Sequence, residues 1–184
     1  TDLRPLTDYS KFKALCEPVL LKCQSPGFTT VVVRPATVCG YSPRQRLDLV
    51  VNILTNNAVH TGKIKVFGGS QMRPNIHIAD IVDLYTRLLE YPDEAIAGRT
   101  YNAGFENHTV AQLAEIVKRV VQQEMPGREI IEVETVPTND NRSYRINSEK
   151  IRQELGWETK FTIEDGVREL VAAFRDGRLP NAMS

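Results

Sequence analysis

The chain of 184 residues carries 23 basic and 23 acidic side chains, so its formal net charge is zero, with 41% of residues hydrophobic and 25% charged. That length supports one sizeable core, and the lack of a basic excess argues against a nucleic-acid or anionic-membrane surface. Three cysteines, Cys16, Cys23 and Cys39, form an odd set without metal-ligand spacing, which suits a reducing compartment better than a disulfide framework. No apolar run approaches membrane-spanning length and no signal-peptide pattern is present, so a cytoplasmic location is expected.

The first predicted helix begins around Asp8-Tyr9-Ser10-Lys11-Phe12-Lys13 and closes at Pro26-Gly27. Tyr9 and Lys13, four residues apart, share one helix face. An ammonium beside a partly desolvated phenol favours phenolate and makes tyrosine a usable acid/base near neutral pH; the same spacing also suits a solvated helix face. Phe12, Cys16, Val19, Leu20 and Cys23 form an apolar stripe expected to bury against a sheet, with a kink expected at Pro18.

Phe28-Thr29-Thr30-Val31-Val32-Val33 then reads as a buried parallel strand, ending in Arg34-Pro35-Ala36-Thr37-Val38-Cys39-Gly40. Gly68-Gly69 marks a turn ahead of Arg73 and a strand at 75–78. A helix over 79–90 is expected to bury Ile81, Val82, Tyr85, Leu88 and Leu89, with Asp80 serving the helix start as a cap. A short strand follows at 100–103. A capping box at Thr109-Val110-Ala111-Gln112 opens a helix that presents Leu113, Ala114, Val117, Val120 and Val121. Residues 130–134 alternate as a half-exposed strand. Two last helices begin near Ser148 and Thr162, the second turning Ile163, Val167, Leu170, Val171 and Phe174 inward. Strands separated by helices predict an α/β fold.

His77 and Asp80 lie near each other in sequence, but no second histidine or cysteine stands at ligand spacing, so no metal site is expected. His60 and His108 read as loop residues. Trp157 after Gly156 reads as a core plug at a helix end.

In this order, Tyr9-x-x-x-Lys13, the strand into Arg34-Pro35, the segment from Ile64 through Gly68-Gly69 and Arg73 to Asp80, Tyr101-Asn102-Ala103-Gly104 and Leu155-Gly156-Trp157 resemble the extended short-chain dehydrogenase/reductase family. The likeness is to its NAD-dependent nucleotide-sugar epimerases and dehydratases. It implies the C-terminal part of a Rossmann-type parallel sheet interleaved with a smaller α/β substrate-binding lobe. Residues 1–41 and about 79–110 would belong to the NAD-binding domain, and about 42–78 and 111–184 to the nucleotide-sugar lobe. Neither the glycine-rich pyrophosphate loop nor the upstream serine or threonine partner of the tyrosine occurs in the sequence, so the chain reads as the C-terminal half of such an enzyme, inactive alone.

The resemblance also implies roles. Tyr9 would be the acid/base and Lys13 would hold the nicotinamide ribose. Pro35, Ala36 and Val38 would sit against the nicotinamide, and Thr37, where many family members carry asparagine, would contact the sugar. Arg73 and Arg142 would bind the nucleotide diphosphate, for which a guanidinium's paired donors are suited; Arg44 and Arg46 lie near the same mouth. The cofactor would be NAD, with NADP left open, and a homodimer through the first helix is compatible with its apolar stripe. Alternatives are a catalytically silent module binding a nucleotide sugar or a protein, and an NADP-dependent keto-sugar reductase.

Overall fold

A computed structural model describes residues 5, 7–127, 131–140, 142–180 and 182. In chain order the elements are α1 (Asp8–Lys22), β1 (Val31–Pro35), β2 (Thr37–Cys39), α2 (Val50–Thr61), β3 (Lys63–Phe67), β4 (Met72–His77), α3 (Ile78–Leu88), α4 (Asp93–Ile96), β5 (Arg99–Ala103), β6 (Glu106–Thr109), α5 (Val110–Glu124), β7 (Glu132–Val136), α6 (Glu149–Leu155) and α7 (Ile163–Arg175). β1 pairs with β5 in parallel, Val33 opposite Tyr101. β2 and β4 are parallel, with Thr37 opposite Asn75, and β4 continues into antiparallel β6. β3 and β7 form a further parallel pair. The α/β class with parallel strands is as the sequence predicts.

Two apolar clusters hold these layers. In one, Leu54 and Ala58 of α2, Ile64 and Val66 of β3, Val117 and Val121 of α5, and Val167 of α7 pack together. In the other, Ile81 and Leu84 of α3, Tyr101 and Ala103 of β5, Ile151 of α6 and Trp157 pack beside β1. α5 and α7 follow their patterns closely because each starts in a full capping box, Thr109 with Gln112 and Thr162 with Asp165, which satisfies the donors a helix start leaves over. The five α5 positions foreseen as inward are all buried. α6 is preceded by Ser148 and ends at Gly156, whose φ of 63° is a conformation glycine adopts without strain. Trp157 is the plug foreseen, 2% exposed, with its indole N–H donating to Asp83 at 2.9 Å.

Several expectations give way to tertiary context. The stripe on α1 is not buried: no α1 residue is buried, and Phe12, Leu15 and Val19 are 64%, 53% and 66% exposed. The helix is tied to the two-stranded β1–β5 ribbon through a polar residue instead, Arg34 of β1 donating to Glu17 at 2.5 and 2.7 Å, and the connection behind it is closed by Thr30 N–H donating to Gln24 at 2.7 Å. Pro18 lies within the helix, as expected. On α3, Ile81, Leu84 and Leu88 face inward, while Val82, Tyr85 and Leu89 stay exposed, because one neighbouring layer covers only one stripe of a helix.

Asp80 lies in the first turn of α3 but is not its cap; His77 accepts the Ala79 N–H at 3.1 Å in that role. Buried at 1% exposure, the Asp80 carboxylate instead accepts the N–H groups of Lys160 and Phe161 at 2.9 and 3.2 Å. β7 begins two residues later than foreseen, and Ile130 lies outside the described residues. His60 sits in α2 against Phe174, ring centroids 4.9 Å apart, and His108 in β6, neither in a loop.

The helix α2 has no counterpart among the predicted elements. It lacks a side-chain cap, and Asn52, Thr55, Asn56 and Asn57 are weak helix formers. A long-range bond compensates in part, Asn56 donating to the Ala182 carbonyl at 2.7 Å, beside local bonds from Asn52 to the Arg46 carbonyl and from Thr55 to the Val51 carbonyl, each at 2.8 Å.

Candidate active site

A cleft of about 920 Å³ opens between the start of α1, β2, the start of α2, the β3–β4 turn and the segment 138–144. Of the residues foreseen as functional, Tyr9, Thr37, Arg73 and Arg142 line it together, although 133 residues of sequence separate the first from the last. Lys13, Pro35, Ala36 and Val38 do not line it. Lys13 and Pro35 are exposed, Val38 is half-buried, and Ala36 is buried with its N–H donating to the Ala103 carbonyl at 2.7 Å.

Tyr9 is placed by the start of its helix. Thr7 caps α1, its hydroxyl accepting the Ser10 N–H at 3.2 Å, which fixes the turn carrying the phenol. Tyr9 is 75% exposed, with Ser10 beside it on the cleft wall. Lys13 stands one turn on, along the same exposed helix. The Arg34–Glu17 ion pair sets α1 against the strand that delivers Thr37; the hydrogen bond to Glu17 raises the Arg34 pKa, so that tether stays charged.

The opposite end is built on arginines. Arg73, on β4, is 16% exposed in its side chain and spends Nη1 on the carbonyls of Met72 and Arg142 and Nη2 on Asp140 at 3.3 Å. Its guanidinium also lies 5.8 Å from the Tyr144 ring centroid. Arg142, 56% exposed, donates to both oxygens of Asp140, Nε to Oδ1 and Nη2 to Oδ2, each at 2.7 Å. Hydrogen bonds from Arg142, reinforced by the charge of Arg73, hold the Asp140 carboxyl well below the usual carboxylate range. Arg73 therefore braces the 138–144 segment, and Arg142 is the more accessible cation.

Asp140 was not singled out in the sequence; an aspartate two residues ahead of an arginine is the pattern that could have flagged it, since its side chain can accept both the backbone N–H and the guanidinium. Lys65 adds a third basic group, and Leu49, Ile53 and Phe67 supply an apolar wall. Neither Arg44 nor Arg46 lines the cleft; Arg46 pairs with Asp48, which does. The arrangement offers a cationic end for an anion, an apolar wall for a ring, and a phenol for proton transfer.

Among the described residues no group of three or more His, Cys, Asp or Glu side chains is placed to hold a metal ion. His77 is buried, its ring stacked on Phe161 at 4.8 Å, with Nε2 3.2 Å from a Glu169 oxygen but outside hydrogen-bonding alignment. The three cysteines are unpaired, and no helix among the described residues is long and apolar enough to cross a membrane.

Comparison with known proteins follows the same lines. The family model described as "NAD dependent epimerase/dehydratase family" matches residues 1–104. A dTDP-glucose 4,6-dehydratase of Shigella flexneri is 27% identical over 179 residues, covering 93% of this chain and 48% of that protein. The chain thus spans about half the length of the curated relatives it matches. The crystal structure of dTDP-glucose 4,6-dehydratase from Bacillus anthracis in complex with NAD superposes with a TM-score of 0.77 at 26% identity, over 97% of this chain and 55% of that one. The UDP-glucose 4-epimerase of Thermotoga maritima, solved with UDP-glucose, gives a TM-score of 0.74 at 25% identity, over 95% and 55%.

Proposed function

Because the chain belongs to the NAD dependent epimerase/dehydratase family, we propose that it forms the catalytic-helix and substrate-binding half of an NAD-dependent nucleotide-sugar enzyme. Dehydration is the favoured chemistry, in line with dehydratases among the relatives. The observation that carries this is the single cleft lined by Tyr9 at one end and by Arg73 and Arg142 at the other. A nucleotide sugar presents a diphosphate to the arginines, rings to the apolar wall, and a sugar hydroxyl to the phenol.

In this assignment Arg142 and Lys65 neutralise the diphosphate, and Arg73 keeps the Arg142 segment in place. Thr37 offers a hydroxyl to the sugar. Tyr9 takes the proton from a sugar hydroxyl and returns it later in the cycle. Lys13, exposed one turn along α1, and the stretch Pro35-Ala36-Thr37-Val38 leading out of β1 are the residues that would hold the nicotinamide end of NAD. They suit that group because Lys13 and Pro35 are exposed, Lys13 stands one turn from Tyr9 on α1, and Thr37 lines the cleft with Tyr9. When bound, NAD supplies hydride acceptance and return at the sugar carbon.

The division into an NAD-binding part, 1–41 and about 79–110, and a substrate lobe, about 42–78 and 111–184, belongs to the same proposal. So do a cytoplasmic location, consistent with three unpaired thiols, and a homodimer using the exposed α1 stripe.

The test is calorimetric titration of dTDP-glucose into the chain, beside turnover by the complete enzyme with NAD. Arg142→Ala should weaken binding by about tenfold or more, since a bond between charged groups contributes roughly 1.5–3 kcal/mol. Tyr9→Phe should leave binding within about twofold and remove nearly all turnover, as expected of a group acting only in proton transfer. Unchanged turnover in Tyr9→Phe would end the catalytic assignment, and absence of binding would end the substrate assignment.

A further inference from the structure

Four donors converge on one small carboxylate at the basic end of the cleft. Arg142 places its backbone N–H and Nε on Oδ1 of Asp140, at 3.1 and 2.7 Å, and its Nη2 on Oδ2 at 2.7 Å, where Arg73 Nη2 also arrives at 3.3 Å. The edge of Arg142 formed by Nε and Nη2 is the edge a guanidinium uses to grip a phosphate through two parallel bonds. Asp140 already holds it.

The carboxylate is not alone in holding this segment. The backbone N–H of Asp140 donates to Thr138 Oγ1 at 3.1 Å, and its carbonyl accepts from Gln71 Nε2 at 3.0 Å. Arg73 binds the carbonyl of Arg142 directly, and Met72 N–H donates to Ser143 Oγ at 2.9 Å. Backbone bonds on both sides of Asp140 thus fix the loop without its side-chain charge.

We infer that Asp140 is a built-in rival of the incoming anion: a phosphate group enters the cleft by displacing the Asp140 carboxylate from Arg142, so this residue sets the affinity and selectivity of the anion site. This inference rests on the anion-binding assignment made above for Arg142. Exchange of one charged partner for another leaves Arg142 neutralised both before and after binding. It therefore lowers the cost of presenting a cation in the cleft while lowering the gain from any weakly charged ligand. A single carboxylate is a poor competitor for a site already occupied by a carboxylate; a diphosphate, with two charges and more acceptor oxygens, displaces it.

The test uses inorganic pyrophosphate and dTDP-glucose as probes in calorimetry on the intact chain, with circular dichroism confirming the fold of each variant. Asp140→Asn keeps the shape and removes the charge, and should tighten pyrophosphate binding by about three- to tenfold, the scale of a partly exposed ion pair given up. Arg142→Ala should weaken it. In the double variant carrying both changes, the gain from Asp140→Asn should vanish, because the rivalry acts only through Arg142. Asp140→Ala should repeat the gain if the effect is loss of charge. Weaker or unchanged pyrophosphate binding in Asp140→Asn would overturn the inference while leaving the nucleotide-sugar assignment standing if dTDP-glucose still binds. Tighter pyrophosphate binding with no binding of dTDP-glucose would sustain the rivalry and overturn the substrate assignment. No binding of either probe to the parent chain and to Asp140→Asn would overturn both.

Discussion

At the scale of single residues, the same side-chain type does different work according to what surrounds it. Arg73 and Arg142 look alike as sequence candidates, yet one is 16% exposed and committed to backbone carbonyls while the other is 56% exposed and paired with Asp140 at the cleft. Asp80 shows the converse: a first-turn aspartate that sequence logic treats as a cap is buried and receives two N–H groups from the 160–161 segment. Those N–H groups would lose their acceptor in Asp80→Ala, and a hydrogen bond to a charged group contributes about 1.5–3 kcal/mol. Urea unfolding should accordingly show a loss of about 2–4 kcal/mol, with Asp80→Asn, which retains one acceptor oxygen, losing less. A loss below about 0.5 kcal/mol for Asp80→Ala would mean that the contact is not an anchor. Tyr9 and Thr37 were legible because their residue types stand in a recognisable order; Asp140 was not, because its importance comes from two arginines far apart in sequence meeting on it.

At the scale of elements, caps and periodicity were reliable where one face of a helix meets one layer. The capping box at Thr109 and the helix start read at Thr162 located α5 and α7, and their inward residues are buried except Phe174, which is half-buried against the same core. Periodicity failed where it had to say how wide the covered stripe is. On α3, Leu84 is fully buried and Leu89 is 88% exposed, although both are leucines in one helical run. Leu84→Ala should therefore cost about 2–5 kcal/mol through lost contacts and a cavity, and Leu89→Ala less than about 0.5 kcal/mol. Equal losses in chemical denaturation would show that α3 is covered on both sides. α2 failed for the opposite reason, since its asparagines and threonine read as loop, and their side chains find the Arg46, Val51 and Ala182 carbonyls only in the folded chain. Close approach is a further property that no periodicity contains: a Cβ on Gly166 of α7 would lie 3.2 Å from the Gly40 amide nitrogen, and Gly40 has a φ of 98°, so this pair lets α7 cross the end of β2.

At the scale of the whole molecule, balanced charge resolves into many local pairs, and these set the response to acid. Asp83, Asp140, Glu164 and Asp165 all have lowered pKa values, with hydrogen bonds from Trp157 and Arg87, from Arg142, from Arg119, and from Thr162 among the respective causes. A carboxyl whose folded pKa lies below its unfolded value stabilises the fold above the unfolded pKa and loses that contribution as pH falls through the folded one. Stability measured by urea or heat should thus be nearly flat from about pH 7 to pH 5 and fall from about pH 5 downward. Asp140→Asn should make that fall shallower; an unchanged acid limb would show that Asp140 contributes nothing to it. The α/β class, the helix opening at the Thr109 capping box and the ordered motifs that carry the family likeness were readable from local pattern, because these depend on neighbours within a few residues. That Tyr9, Thr37, Arg73 and Arg142 share one cleft, that the stripe on α1 is exposed and that Asp140 holds the edge of Arg142 emerge only in the folded chain. Those facts depend on which distant segments meet, and the closure of long loops by packing and paired charge is not written in any local pattern.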